Sequence, residues 1–138
     1  MKVLFDTCVI IDSLQNREPF AEVSNKLLLA VARGEIEGYL TAKSITDIFY
    51  LTHRITHDNE KTKDITAKLL SLYKLLDTKG IDCERALVSD ISDFEDAVMV
   101  QTAKRTEMDL IVTRNEKDFN KSDVKINNPQ ELVKSLKL

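Results

Sequence analysis

The 138-residue chain has no tryptophan, three glycines, two prolines and two cysteines. So little glycine and proline excludes a collagen-like chain, and 43% hydrophobic residues exclude a disordered one. Cys8 and Cys83 lie too far apart for metal-ligand spacing and read as reduced thiols. No apolar run is long enough to cross a bilayer, because Asp6 interrupts the first and Asp12 ends the second. The opening Met1–Asp6 also lacks the apolar stretch of a signal peptide, so the expected location is cytoplasmic with no membrane partner. An excess of positive charge is missing too. Twenty Lys and Arg stand against 23 Asp and Glu, a net charge of −3. The bulk composition therefore argues against a strongly basic nucleic-acid binder, and a phosphate-bearing partner requires a local basic patch.

What is present fits one domain over residues 1–138. Apolar runs and turn signals predict strands at Lys2–Phe5, Glu37–Thr41, Ile81–Cys83, Leu110–Val112 and Asp123–Ile126. Helical spacing of apolar residues predicts helices at Thr7–Gln15, Ala21–Arg33, Ser44–His53, Asp64–Asp77, Glu84–Val88, Asp93–Thr106 and Pro129–Leu136. Gly34 and Gly80 read as helix stops, and His57–Lys63 as a polar loop or frayed helix start. Strands alternating with helices predict a three-layer α/β fold, a parallel sheet with helices on both faces.

The acids are informative through their placement. Asp6 directly follows a strand, Asp118 follows another by a few residues, and Asp47 and Asp96 lie near helix starts. In a parallel α/β sheet these positions share one edge, where ligands bind. Three of the four also fit helix capping: Ser44, Asp93 and Asn115 each precede an Asp by three residues. Asp6 has no such explanation. Two unit charges 4 Å apart repel by about 4 kcal/mol at an effective dielectric of 20. A converging set of carboxylates is therefore tolerable with a divalent cation bound or with one group protonated. Oxygen-only ligation suits Mg²⁺ or Mn²⁺, which can activate water and stabilise charge on a phosphodiester.

These residues carry a resemblance over nearly the whole chain. Phe5-Asp6-Thr7-Cys8-Val9-Ile10-Ile11-Asp12, Ser44-Ile45-Thr46-Asp47, Asp93-Phe94-Glu95-Asp96-Ala97 and Ile111-Val112-Thr113-Arg114-Asn115-Glu116-Lys117-Asp118-Phe119 occur in that order. Together they resemble the four acidic motifs of the PIN-domain ribonucleases, including the VapC-type toxins of bacterial toxin–antitoxin pairs. The resemblance implies a five-stranded parallel sheet of order 3-2-1-4-5. It also implies metal-dependent hydrolysis of single-stranded RNA, with Asp6, Asp47, Asp96 and Asp118 as Mg²⁺ or Mn²⁺ ligands. Thr113 and Asn115 are expected to support the site by hydrogen bonds. A cognate antitoxin and a homodimer are the expected protein partners. Asp47 stands where many members carry Glu, and Cys8 where Asn is more usual.

Lys43 and Arg114 are the basic residues nearest the expected edge and are the candidate phosphate contacts. Asp12 reads most simply as a surface or helix-start residue. His53 and His57 are four apart but lack the Glu of a zinc helix, and Cys8 lacks a histidine partner. The alternative to a nuclease is a catalytically inactive PIN-like module that binds RNA or protein, although such a module gains nothing from concentrated repulsive charge. A dehalogenase-like phosphatase needs a second Asp at position 8, which is Cys8. A receiver domain needs its phosphorylated Asp after the third strand, and the chain offers none there.

Overall fold

Alternation along the strands decides which residues face which layer. The computed structural model describes residues 1–138. Its sheet comprises Lys2–Phe5 (β1), Glu37–Thr41 (β2), Lys74–Leu76 (β3), Leu110–Val112 (β4) and Ile126–Asn127 (β5). All four pairings are parallel, in the order β3-β2-β1-β4-β5. Seven helices surround it: Thr7–Leu14 (α1), Ala21–Ala32 (α2), Ala42–Thr56 (α3), Asn59–Leu72 (α4), Gly80–Leu87 (α5), Phe94–Arg105 (α6) and Pro129–Leu136 (α7). A 3₁₀ turn, Glu116–Phe119, follows β4.

Val3, Phe5, Leu40, Leu110 and Val112 face one side of the sheet, against Ile10 of α1, Leu27 of α2, Ile48 of α3, Leu69 of α4 and Leu132 of α7. The intervening Leu4, Tyr39 and Ile111 face the other side, against Ala86 of α5 and Ala97 and Val100 of α6. Covering both faces explains why the central strands are continuous apolar runs. The fold is thus the expected three-layer arrangement. No helix is long and apolar enough to cross a membrane.

The middle of the chain departs from the sequence reading. The helix expected over Asp64–Asp77 ends at Leu72, and the third strand is Lys74–Leu76 rather than Ile81–Cys83. Tyr73 causes the switch. It is buried, edge-on to Phe5 at 5.2 Å, and it fills the space that Gly38 leaves by having no side chain. A Cβ at Gly38 would lie 2.7 Å from the Tyr73 ring. Pinned there, the chain pairs Lys74–Leu76 with Tyr39–Thr41.

Gly80 opens a helix instead of ending one, so Ile81–Cys83 and most of Glu84–Val88 belong to α5. The Lys79 N–H donates to Asp82 at 2.9 Å, which fixes that start. The expected start of α3 at Ser44 moves to Ala42, because Thr41 Oγ1 accepts the Ser44 N–H at 3.0 Å. That helix runs past His53 to Thr56. α4 begins inside the segment read as a polar loop or a frayed helix start, and the second of these holds, with Asp58 capping the Lys61 N–H at 3.0 Å. The last strand is shorter and later than Asp123–Ile126.

Candidate active site

The C-terminal ends of β1 and β4 lie side by side, with Phe5 opposite Val112. The residues that follow, Asp6 and Thr113, therefore emerge together. The Asp6 N–H donates to the Val112 carbonyl at 3.0 Å. The hydroxyl of the fully buried Thr113 donates to Asp6 Oδ2 at 2.7 Å. The Cys8 thiol donates to the same oxygen at 3.5 Å. Burial, then the negative charge of Asp6, pushes the Cys8 thiol up to about 11. A thiol held protonated in this way is a poor nucleophile and serves as a donor to Asp6.

Thr113 also accepts the Asn115 N–H on Oγ1 at 3.0 Å, and the Asn115 carbonyl accepts the Asp118 N–H at 2.9 Å. A chain of bonds thus runs from Asp6 through Thr113 and the Asn115 backbone to the turn bearing Asp118. Asn115 contributes through its main chain, and its side chain caps nothing. Asp96 arrives from α6. Asp93 caps that helix, accepting the Asp96 N–H at 2.9 Å. This capping reading holds, whereas the one at Ser44 fails because Thr41 is the cap.

The site's electrostatics show in Asp96. Burial, followed by the charges of Asp93, Asp6, Asp118 and Glu95, pushes its carboxyl up to about 7. The charges of Asp6 and Asp118 therefore reach Asp96 across the sheet edge. The fourth acid, Asp47, has a cation of its own. It is paired with Lys43 at 2.6 Å, and Lys43 reaches Glu95 at 2.9 Å. Burial works against the Lys43 charge, but hydrogen bonds to Asp47 and Glu95 outweigh it and hold the ammonium above its usual range.

Arg114, the second expected phosphate contact, turns inward. Its Nε lies 2.5 Å from Oδ2 of Asp12, and its guanidinium lies 4.3 Å from the Phe20 ring centroid. Asp12 is fully buried, not a surface residue, and burial pushes its carboxyl up while Arg114 pulls it down. The two groups form an ion pair by proximity, without hydrogen-bond alignment. The sequence offers no spacing signal linking residues 12 and 114. His53 stacks on Phe49 at 6.4 Å, and His57 ends α3 in a left-handed conformation. Lys104 and Arg105 are engaged elsewhere, with Asp123 and Asp82.

As a donor set the acids fit a hard divalent cation: every candidate ligand is a carboxylate oxygen, and Asp96 registers the repulsion a cation relieves. No three acidic, His or Cys side chains are yet close enough to enclose an ion. The acids lie at one edge without forming a closed cage. One consequence is measurable in metal-free protein. The raised Asp96 carboxyl binds its proton more tightly folded than unfolded, so stability falls as pH rises from about 4 through about 7. Asp96→Asn is expected to raise Tm at pH 8 by about 3 °C, allowing for solvent screening of a half-buried group. The gain should shrink toward zero at pH 4, as thermal melts in a chelator will show. A gain independent of pH would contradict this origin.

The family model for the PIN domain matches residues 2–117. The chain belongs to the PIN domain family. Members of that family are generally nucleases, and the PIN nucleases generally use divalent metals. The PIN fold here is similar to several solved structures. FitAcB from Neisseria gonorrhoeae superposes with a TM-score of 0.68 at 21% identity, covering 93% of this chain and 98% of that one. VapBC2 from Rickettsia felis, bound to a DNA fragment from its promoter, gives 0.68 at 14% identity, with 93% and 98% covered. A toxin–antitoxin complex from Klebsiella pneumoniae gives 0.68 at 20% identity, with 92% and 97% covered. At these identities the likeness is one of fold. No curated protein matches the sequence.

Proposed function

We propose that this PIN domain is a metal-dependent endoribonuclease that hydrolyses phosphodiester bonds of single-stranded RNA, acting in the cytoplasm as the toxin of a toxin–antitoxin pair. The observation that carries the reading is the placement of Asp6, Asp96 and Asp118 at one sheet edge, where burial, then the charges of Asp93, Asp6 and Asp118, raises the Asp96 carboxyl. A binding module gains nothing from that cost, whereas a cation site uses it. Asp6, Asp96 and Asp118 would hold Mg²⁺ or Mn²⁺, with Asp47 completing the acidic rim. A divalent ion there supplies the positive charge that a phosphodiester needs during in-line displacement.

The chain's own residues supply the rest. Thr113 fixes Oδ2 of Asp6, and Oδ1 has no hydrogen bond within the protein. The Asn115 backbone holds the turn that carries Asp118. Lys43, between Asp47 and Glu95, offsets local negative charge where a phosphate approaches. The toxin reading draws on family membership and on neighbours described as toxin–antitoxin complexes. An antitoxin protein and a second copy of the chain are its proposed partners.

The test is incubation of purified protein with single-stranded and structured RNA, in Mg²⁺, in Mn²⁺ and in a chelator. Cleavage of single-stranded RNA that requires the ion is expected. Cleavage surviving the chelator would sink the metal reading, and no cleavage of any RNA would favour the inactive binding module.

A further inference from the structure

The acids locate where a phosphodiester reacts but not how the strand beside it is held. Lys43 and Arg114 are both engaged in ion pairs, so the expected phosphate contacts do not stand free. A different pair of side chains does. Asp47, Tyr50, Leu51 and Arg54 follow one another on α3 at intervals of three, one and three residues, which places them on one helix face. Arg54 lies two turns from Asp47, about 10 Å along the axis.

That face borders a cleft of about 370 Å³ lined by Thr7, Asp47, Tyr50, Leu51, Arg54 and Glu95. Its volume is within the usual range for ligand pockets, about 300–1,000 Å³. The cleft opens onto the acidic edge through Thr7, the neighbour of Asp6, and through Asp47. Tyr50 is 67% exposed, unusual for so large a ring. Phe49 packs edge-on against it at 5.6 Å and 83°. Arg54 is exposed and makes no ion pair.

We propose that this cleft binds a nucleotide of the single-stranded RNA adjoining the scissile bond, with Tyr50 stacked on its base and Arg54 contacting its phosphate. The inference rests on the ribonuclease reading for the identity of its ligand. The chemistry favours a nucleotide over an apolar peptide. A flat exposed ring, an unpaired guanidinium and a threonine hydroxyl sit together, and the two carboxylates that also line the cleft, Asp47 and Glu95, are both paired with Lys43. Such a platform tolerates any base, because every base has a π face. The phosphate contact works through charge and is weakened by salt.

The test is fluorescence anisotropy with a fluorescein-labelled 12-nucleotide single-stranded RNA in Mg²⁺, in an Asp6→Asn background that blocks turnover. Wild-type protein is assayed in parallel for cleavage. Tyr50→Ala is expected to weaken binding about tenfold. Tyr50→Phe should retain affinity, and Tyr50→Leu, apolar but without a ring, should lose it like Ala. Arg54→Ala should weaken binding and reduce the dependence of log affinity on log salt by about 0.7, which Tyr50→Ala should leave intact. Thermal melts check each fold, and Arg54→Gln provides a second, milder variant.

Affinity unchanged by both Tyr50→Ala and Arg54→Ala overturns the subsite, even if wild-type protein cleaves RNA and the nuclease reading stands. Weakened binding without any wild-type cleavage keeps the subsite and removes the nuclease. Variants that keep RNA affinity but lose a protein partner would assign this face to protein and overturn the proposal.

Discussion

Arg114→Ala is expected to cost about 3 kcal/mol of stability, lowering Tm by about 10 °C at neutral pH. The reason is the charge left behind. Asp12 is fully buried, and neither of its carboxylate oxygens has a hydrogen-bond partner. Arg114 is the cation in contact with it, at 2.5 Å. Removing the guanidinium strands an anion in the core and also uncovers Phe20. The loss should shrink at low pH, because a buried carboxyl that has lost its contacting cation, with only the charge of Arg17 still acting on it, takes up a proton above the ordinary Asp range. Asp12→Asn should cost less, since Arg114 keeps its stacking on Phe20 and reaches solvent with about a quarter of its side chain. The pair Asp12→Leu with Arg114→Met should recover much of the loss. Chemical denaturation of the four proteins measures this. An Arg114→Ala variant as stable as wild type would show that the pair bears no load.

Asp6→Asn is expected to lower single-stranded RNA cleavage about a thousandfold, near 4 kcal/mol of transition-state stabilisation. The substitution keeps the shape of the side chain and an oxygen that can accept from Thr113, but it removes one negative charge from the edge. Tm should therefore change little or rise, which separates lost chemistry from lost fold. Thr113→Val should act in the same direction but less, about tenfold. It removes the 2.7 Å bond that fixes Asp6 and leaves the Asn115 N–H without its acceptor. Equal activity in wild type and Asp6→Asn, measured as initial rates at saturating Mg²⁺, would remove Asp6 from the site.

Legibility in the sequence followed burial and local pattern. β1, β2 and β4 are short apolar runs bounded by turn signals, and their boundaries read directly. α7 read directly as well, because Asn128 and Pro129 mark its start chemically. β3 was not readable. Lys74–Leu76 continues the leucine spacing of the preceding helix, and what ends that helix is Tyr73 packing against Phe5 and over Gly38, contacts distant in sequence. Gly80 misled for a related reason: its helix starts at a carboxylate, Asp82, that also holds Arg105 from α6.

At the site, the motifs placed Asp6, Asp96, Thr113 and Asp118 near one another. The i,i+4 spacing of Lys43 and Asp47 on one helix was a readable signal for their pairing. No spacing could show that Arg114 serves a buried Asp12, and there geometry alone selects the partner. The sequence reading ended this helix at His53, so a face shared by Asp47, Tyr50 and Arg54 emerged only with the helix running on to Thr56. The exposure of Tyr50 and the lack of a partner for Arg54 gave that face its meaning.

The net charge of −3 belongs to the metal-free chain. Cations bound at the edge cancel part of it where a phosphate docks. The most direct measurement is therefore Mn²⁺ binding to the purified protein, followed by electron paramagnetic resonance of free Mn²⁺ at pH 6 and pH 8. Saturable binding is expected at pH 8. It should be weaker at pH 6, where the Asp96 proton, held to about 7, competes with the ion, and much reduced in Asp6→Asn. Absence of saturable binding at pH 8, or equal binding by Asp6→Asn, would contradict a metal site at this edge.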